Sequence, residues 1–170
     1  NFAAAISKYL NNHIMNEIKV MNHAADNIRI LAAAAVEKAK SGHPGGAMGG
    51  ADFINVLYSE YLNYDPQNPE WVGRDRFYLD PGHMAPMLYA QLALIGKYSL
   101  EELAQLRQWG SPTTGHPEFE VARGVENTSG PLGQGHTFAV GAAIAAKFLA
   151  AHTGNPTFAK ETIYAYISDG

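Results

Sequence analysis

Four of the seven histidines directly follow a glycine, at Gly42-His43, Gly82-His83, Gly115-His116 and Gly135-His136. With 17 glycines in 170 residues, chance would place fewer than one histidine in that setting. Imidazole titrates nearest neutrality, so a histidine held on a stiff turn is suited to bind hydroxyls and to move protons. His43 is the sharpest case, because "SGHPGG" seats it between Gly42 and Pro44 at the end of a helical run. Such a turn adds little to a core and presents its side chain to a ligand. The histidine spacings give no pair on one helix face, so a zinc site would need tertiary assembly. His13, His23 and His152 lack the glycine setting and read as surface residues.

A second pattern is "ENTSGPLGQGHT", where Gly130, Gly133 and Gly135 precede a helix start. Glycines admit a ligand close to the backbone, and free N–H groups at a helix N-terminus favour negative charge. The segment is therefore expected to hold a phosphate or diphosphate. Its spacing matches neither G-x-G-x-x-G nor a Walker loop, so a mobile glycine-rich surface loop stays open as the alternative. At Ser168-Asp169-Gly170 a carboxylate follows a β-rich run. There it could hold a hard cation such as Mg²⁺ that bridges phosphate oxygens, although Asp-Gly is also an ordinary turn.

These groups need a scaffold. Ile28, Leu31, Ala32, Ala35, Val36 and Ala39 fall at helical spacing and form one buried stripe that stops at Gly42. A helix over Ala51 to Tyr64 is expected to turn Phe53, Val56, Leu57 and Tyr61 inward. The prolines of "NYDPQNPEWVGRD" make it a loop. "RFYLD" is a short strand that delivers the chain to Pro81-Gly82-His83, and the next helix carries Pro86 in its first turn. Ser99 and Glu102 have capping-box spacing, which predicts a helix to about Trp109. Gly110 to Gly135 carries three prolines and six glycines, too many for regular structure and too long for a plain connection. "TFAVGAAIAAKFLAA" reads as an alanine-rich helix that must pack closely, and "TIYAYISDG" as a strand ending in Asp-Gly. Helices alternating with short strands give an α/β fold with a mostly parallel sheet flanked by helices. Ligands in such folds sit at the carboxyl ends of the strands.

Composition narrows the classes. The net charge of −4 and the lack of a Lys/Arg run argue against a nucleic-acid surface. No apolar stretch approaches the roughly 20 residues of a membrane helix. The absence of cysteine excludes disulfides and thiolate metal sites and fits a reducing compartment. The chain reads as cytoplasmic, with no membrane partner. One domain, or part of one, fits the length. Residues 1–21, with Met15 and Met21 within them, read as an amino-terminal extension or leader.

In order and spacing, "AKSGHPGGAMGGAD", "DRFYLDPGHMAPMLY", "GSPTTGHPE" and "GVENTSGPLGQGHTFAVGAAIAAKFLAA" resemble the amino-terminal half of the cofactor-binding domain of transketolases. The resemblance runs from about Ala24 to Gly170, so residues 22–170 are identified as the first part of a thiamine-diphosphate-binding domain. It implies an enzyme of the pentose phosphate pathway that moves a two-carbon ketol unit from a ketose phosphate to an aldose phosphate. Thiamine diphosphate and Mg²⁺ or another divalent cation would be its cofactors, and sugar phosphates its substrates. His83 then contacts the cofactor diphosphate, and Gly130 and Leu132 support the aminopyrimidine and the bent cofactor. Asp169 becomes a metal ligand with Gly170 beside it. His43 and His116 become the catalytic histidines of the substrate channel. In this family the active site lies between two subunits of a homodimer. The second metal ligand, the activating glutamate and the phosphate-binding arginines would come from residues after Gly170, so the chain is expected to be part of a longer enzyme, inactive alone.

Departures from the family pattern carry expectations too. Ser168 replaces the first glycine of G-D-G, with the carboxylate retained. Thr114 stands where proline is usual, which predicts a less rigid His116 loop. Met84-Ala85 replaces a Gly-Ser pair and removes a hydroxyl. His136 takes a position that is often aliphatic and is assigned no catalytic role. Two other readings fit the residues. One is a different thiamine-diphosphate enzyme, such as deoxyxylulose-phosphate synthase or a split-transketolase subunit; the paired His43 and His116 motifs favour transketolase over it. The other is a non-catalytic phosphosugar- or metal-binding module.

Overall fold

Strand β1 (Arg76–Leu79) pairs in parallel with β2 (Ile163–Tyr166), Arg76 opposite Ile163 and Leu79 opposite Tyr166. A computed structural model describes the backbone over residues 2–168 and the side chains over 17–168; Asp169 and Gly170 lie outside the described residues. A parallel pair needs a long crossover, and helix α6 (Gln134–Thr153) provides it, packing against both strands. Alternation along β1 serves the two faces. Phe77 meets Phe53 and Tyr58 on one side, and Tyr78 lines a pocket with Phe138 and Gly141 of α6 on the other.

Four helices build the core beside this pair: α1 (Phe2–Ala39), α2 (Pro44–Gly49), α3 (Ala51–Val56) and α4 (Ala85–Leu94). In α1 the predicted stripe is buried at Ile28, Ala32, Ala35 and Val36. It packs on α4, whose residues from Ala85 to Leu92 are all buried, as expected of a helix apolar all round. Met87, Leu88 and Leu92 each contribute about 1.5–3 kcal/mol by leaving water. Pro86 sits in the first turn of α4, as read. No described helix is long and apolar enough to cross a membrane.

Three helix expectations need correction. Beyond α3 the chain forms one π-helical turn over Leu57–Tyr61, and the buried residues are Ala51, Ile54, Asn55, Leu57 and Tyr58. Phe53, Val56 and Tyr61 point away from the helical core. Both faces of the segment are apolar, and the second one meets the sheet at Tyr166 through Phe53, 4.9 Å between ring centroids. The capping box of Ser99 and Glu102 is formed, yet α5 (Leu100–Leu103) is short. Arg107 takes a left-handed φ of 62° and donates its N–H to the Thr113 carbonyl, which folds the chain back. In α6 only Gly135, Ala139 and Ala146 are buried, while Phe138, Val140, Ile144 and Phe148 are about half exposed or more. One stripe of the helix finds cover on the strands, and the rest has none among the described residues.

The long segment from Gly110 to Gly135 is largely irregular, as expected, and it is fastened at several points. Arg74 donates to Glu126 from Nε and Nη2 at 2.7 and 3.0 Å, with both side chains buried. The Asn127 amide accepts from the Leu79 N–H and donates to the Leu79 carbonyl, both at 3.2 Å. It thereby occupies the free edge of β1 as a neighbouring strand would.

Candidate active site

At its carboxyl end β1 continues as Asp80-Pro81-Gly82-His83, and a 3₁₀ turn covers Gly82–Met84. Gly82 is required by contact. A Cβ there would lie 2.0 Å from the Ser129 carbonyl oxygen, so only glycine lets the two backbones meet. The Ser129 hydroxyl donates to the Asp80 carbonyl at 2.8 Å and fixes the junction. His83 is thereby seated beside Ser129-Gly130, with open space over Gly130 and with Leu132 about half exposed.

His43 arrives from the other side as the N-cap of α2, with Pro44 at the first helical position. Its backbone is extended, and its imidazole makes no capping hydrogen bond. The ring instead meets His83 edge to face, 5.1 Å between centroids. Met84 holds the two turns together. Its side chain fills the space over Gly46 and, with Met87, that over Gly50, and so packs α2 onto the His83 turn.

The His116 turn is tied by Thr114, whose hydroxyl lies 3.0 Å from the Tyr89 phenol and donates to the His116 carbonyl. These two bonds fasten a turn that was expected to be less rigid without proline. Burial lowers the pKa of His116, with the Arg107 guanidinium and His43 adding to the effect. Burial likewise lowers the pKa of His83, helped by His43 and His116. Both shifts favour the neutral ring, which has one N–H donor and one bare nitrogen. Three of the four Gly-His turns thus converge. His136 stands apart, half exposed, with Nδ1 3.6 Å from the Asp80 carboxylate.

One expectation about the glycine loop is overturned. The N–H groups of Gly133 and His136 do not face outward for a phosphate; each donates at 3.2 Å to the Asp80 carboxylate. Asp80 is buried, and its charge lies at the positive end of α6. The approach is close enough that a Cβ on Gly135 would fall 2.3 Å from the Asp80 Cα. Asp80 escaped the sequence reading, where the acidic residue between a strand and Pro-Gly-His was the only signal. Among the described residues no group of three His, Asp or Glu could hold a metal ion. The metal candidate Asp169 and the cofactor candidate Gly170 fall outside them.

Residues 20–170 match the family described as transketolase, thiamine diphosphate binding domain. The chain belongs to the transketolase family. It is 49% identical to the chloroplastic transketolase-1 of Arabidopsis thaliana over 155 residues, covering 89% of this chain and 21% of that protein. Against the transketolase of Halalkalibacterium halodurans the identity is 53% over 129 residues, 75% of this chain and 19% of the relative. Among solved structures, the transketolase from Leishmania mexicana superposes with a TM-score of 0.81 at 46% identity, covering 88% of this chain and 23% of that one. A Pichia stipitis transketolase in complex with sedoheptulose-7-phosphate gives 0.75 at 38% identity, covering 87% and 22%. The chain therefore spans about a fifth of the length of the transketolases it matches.

The family's cofactor can be tested against the geometry. A neutral His83 offers an N–H to a phosphate oxygen, Gly130 leaves room for close approach, and the exposed Leu132 offers an apolar support. These three stand at the carboxyl end of a parallel strand, and they fit thiamine diphosphate.

Proposed function

We propose that the protein catalyses transfer of a two-carbon ketol unit from a ketose phosphate to an aldose phosphate, with thiamine diphosphate and Mg²⁺ as cofactors. The observation that carries this reading is the convergence of His43, His83 and His116 at the carboxyl end of β1, beside Gly130. Membership of the transketolase family supports it, as do Pichia stipitis transketolases solved with sedoheptulose-7-phosphate and xylulose-5-phosphate. When bound, thiamine diphosphate supplies the carbanion chemistry that makes a two-carbon unit transferable.

This chain's residues divide the remaining work. His83 donates from its neutral imidazole to a diphosphate oxygen, and Gly130 and Leu132 shape the bed of the cofactor. His116, favoured as a neutral ring, accepts or returns a proton at a substrate hydroxyl. His43, free of capping duty, hydrogen-bonds the sugar hydroxyls beside it. Asp169, with Gly170 next to it, is the proposed ligand to the divalent cation, a role that suits a carboxylate. A homodimer is the proposed assembly, supported by the uncovered Phe138, Val140, Ile144 and Phe148 of α6.

The test uses the full-length protein with thiamine diphosphate and Mg²⁺, following ketol transfer between a ketose phosphate and an aldose phosphate. Turnover that requires both cofactors is the expected result, and none at saturating cofactor overturns the proposal. Asp169→Ala should weaken cofactor affinity strongly, with excess Mg²⁺ recovering it only in part. Unchanged affinity would make Asp169 a turn residue.

A further inference from the structure

Two residues other than glycine adopt left-handed backbone among the described residues, Lys40 at φ 51° and Arg107 at φ 62°. Both flank one contact. Lys40 immediately precedes Ser41, and the Arg107 guanidinium donates from Nη1 to the Ser41 hydroxyl at 3.1 Å. The same side chain packs against the next turn, since a Cβ on Gly115 would come within 3.1 Å of Nε and 3.2 Å of Cζ. It also passes beside Gly42, where a Cβ would be 3.6 Å from Nε. Gly42 and Gly115 are the residues that precede His43 and His116. Arg107 is itself anchored, because its backbone N–H donates to the Thr113 carbonyl at 2.9 Å and Thr113 is fully buried. An L-residue in left-handed backbone persists only where the surroundings over-determine it, and such strain gathers at functional sites.

We propose that Arg107 is a positioning residue that ties the His43 turn to the His116 turn and so sets the separation of the two substrate-facing imidazoles. The proposal deepens the ketol-transfer reading and rests on it for its kinetic part. Arg107 needs no contact with substrate or cofactor to act in this way. Its Nη1 holds Ser41 while the rest of its side chain packs against Gly115, and both histidines inherit that geometry. The cation has a second consequence, since it disfavours protonation of the His116 ring. The charged or titratable groups around that ring are Arg107, His43 and His83, with Glu118 two residues further along the chain.

The test is Arg107→Gly in the full-length enzyme, because glycine keeps the left-handed turn while removing the side chain. Thiamine diphosphate affinity should be unchanged, since His83 is untouched. The kcat/KM for a ketose phosphate should fall roughly 10- to 100-fold, as displaced catalytic groups do. The acid limb of kcat/KM should move to higher pH, because His116 loses the neighbouring cation and is protonated sooner. Arg107→Lys should retain the limb yet lose kcat/KM, since it keeps the charge and loses the Nη1 bond to Ser41 and the packing of Nε and Cζ against Gly115. Unchanged kcat/KM and an unchanged limb in Arg107→Gly overturn the proposal. A further arm needs no turnover: with ¹³C-labelled histidine, the His116 resonance of Arg107→Gly should titrate at higher pH than in wild type. An unmoved His116 titration overturns the charge effect even if ketol transfer is never detected, whereas absent turnover in wild type counts against the function alone.

Discussion

The imidazoles of His43 and His83 meet edge to face, 5.1 Å between centroids and 74° between planes, although one belongs to a helix cap and the other to a 3₁₀ turn. Contact makes them neighbours with different duties. His83 lies beside Gly130 and would act before sugar arrives, so His83→Ala in the full-length enzyme should raise the Kd for thiamine diphosphate. Saturating cofactor should then restore much of the rate. His43→Ala and His116→Ala should hold cofactor normally and lose about 10²- to 10⁴-fold in kcat/KM for sugar phosphates. A loss that extra cofactor cannot repair marks an interaction with substrate or transition state. Cofactor titration of each variant, followed by sugar kinetics at saturation, decides between the two roles. Cofactor rescue of His43→Ala and His116→Ala, but not of His83→Ala, would reverse them.

The pH profile carries a second expectation. Burial lowers the pKa of both His83 and His116 below the usual value of about 6.5. A lowered pKa means that the neutral ring survives to more acid pH than in a free histidine. The midpoint of the acid limb of kcat/KM should therefore lie below pH 6.5. A decline centred above 6.5 would show that these neutral rings are not the working forms.

How much of this was legible in the sequence follows from what kind of signal each feature leaves. The Gly-His turns were visible because glycine and proline restrict backbone locally, and β1, β2 and α4 because their apolar runs are unambiguous. The inward face of α3 was misjudged. Phe53 and Ile54 are both apolar, and only tertiary packing shows that Ile54 enters the helical core while Phe53 lies on the strands. The early end of α5 was hidden for a similar reason, since the Thr113 hydroxyl that donates to the Glu102 carbonyl at 2.7 Å arrives from ten residues beyond the helix. The role of Asp80 was hidden most completely. Its partners Gly133 and His136 lie far along the chain, and only the βαβ crossover brings the start of α6 to the end of β1.

The ion pair between Arg74 and Glu126 fastens the glycine-rich segment to the chain just before β1, and both side chains are buried. Removing one partner of such a pair leaves a charge without compensation, at a cost of about 3–5 kcal/mol. Glu126→Gln should lower the denaturant midpoint of this domain markedly. Arg74→Met with Glu126→Leu should recover much of the loss, because a buried pair is often replaceable by apolar groups of similar volume. If the double variant is as unstable as the single one, the pair does more than satisfy its own charges.

Asp80 gives the most discriminating variant series, because a single buried carboxylate closes the first turn of α6 and shares a backbone with the His83 turn. Asp80→Asn keeps the volume and one acceptor oxygen, so one of the Gly133 and His136 N–H groups stays bonded while the charge at the helix end is lost. That change should cost about 0.5–2 kcal/mol, the range of a helix cap. Asp80→Leu removes the acceptor of both part-buried N–H groups and should cost more than Asp80→Asn, up to about 1–3 kcal/mol for a group that water does not reach. Hydrogen exchange should then rise at Gly133 to Thr137 before it rises in α4, which makes no bond to Asp80. Thiamine diphosphate affinity should fall in the same order, wild type above Asn above Leu, because the Ser129-Gly130 bed is held to the Asp80 carbonyl. Exchange that rises equally across α4 and α6 would mean that Asp80 supports the whole core rather than this junction.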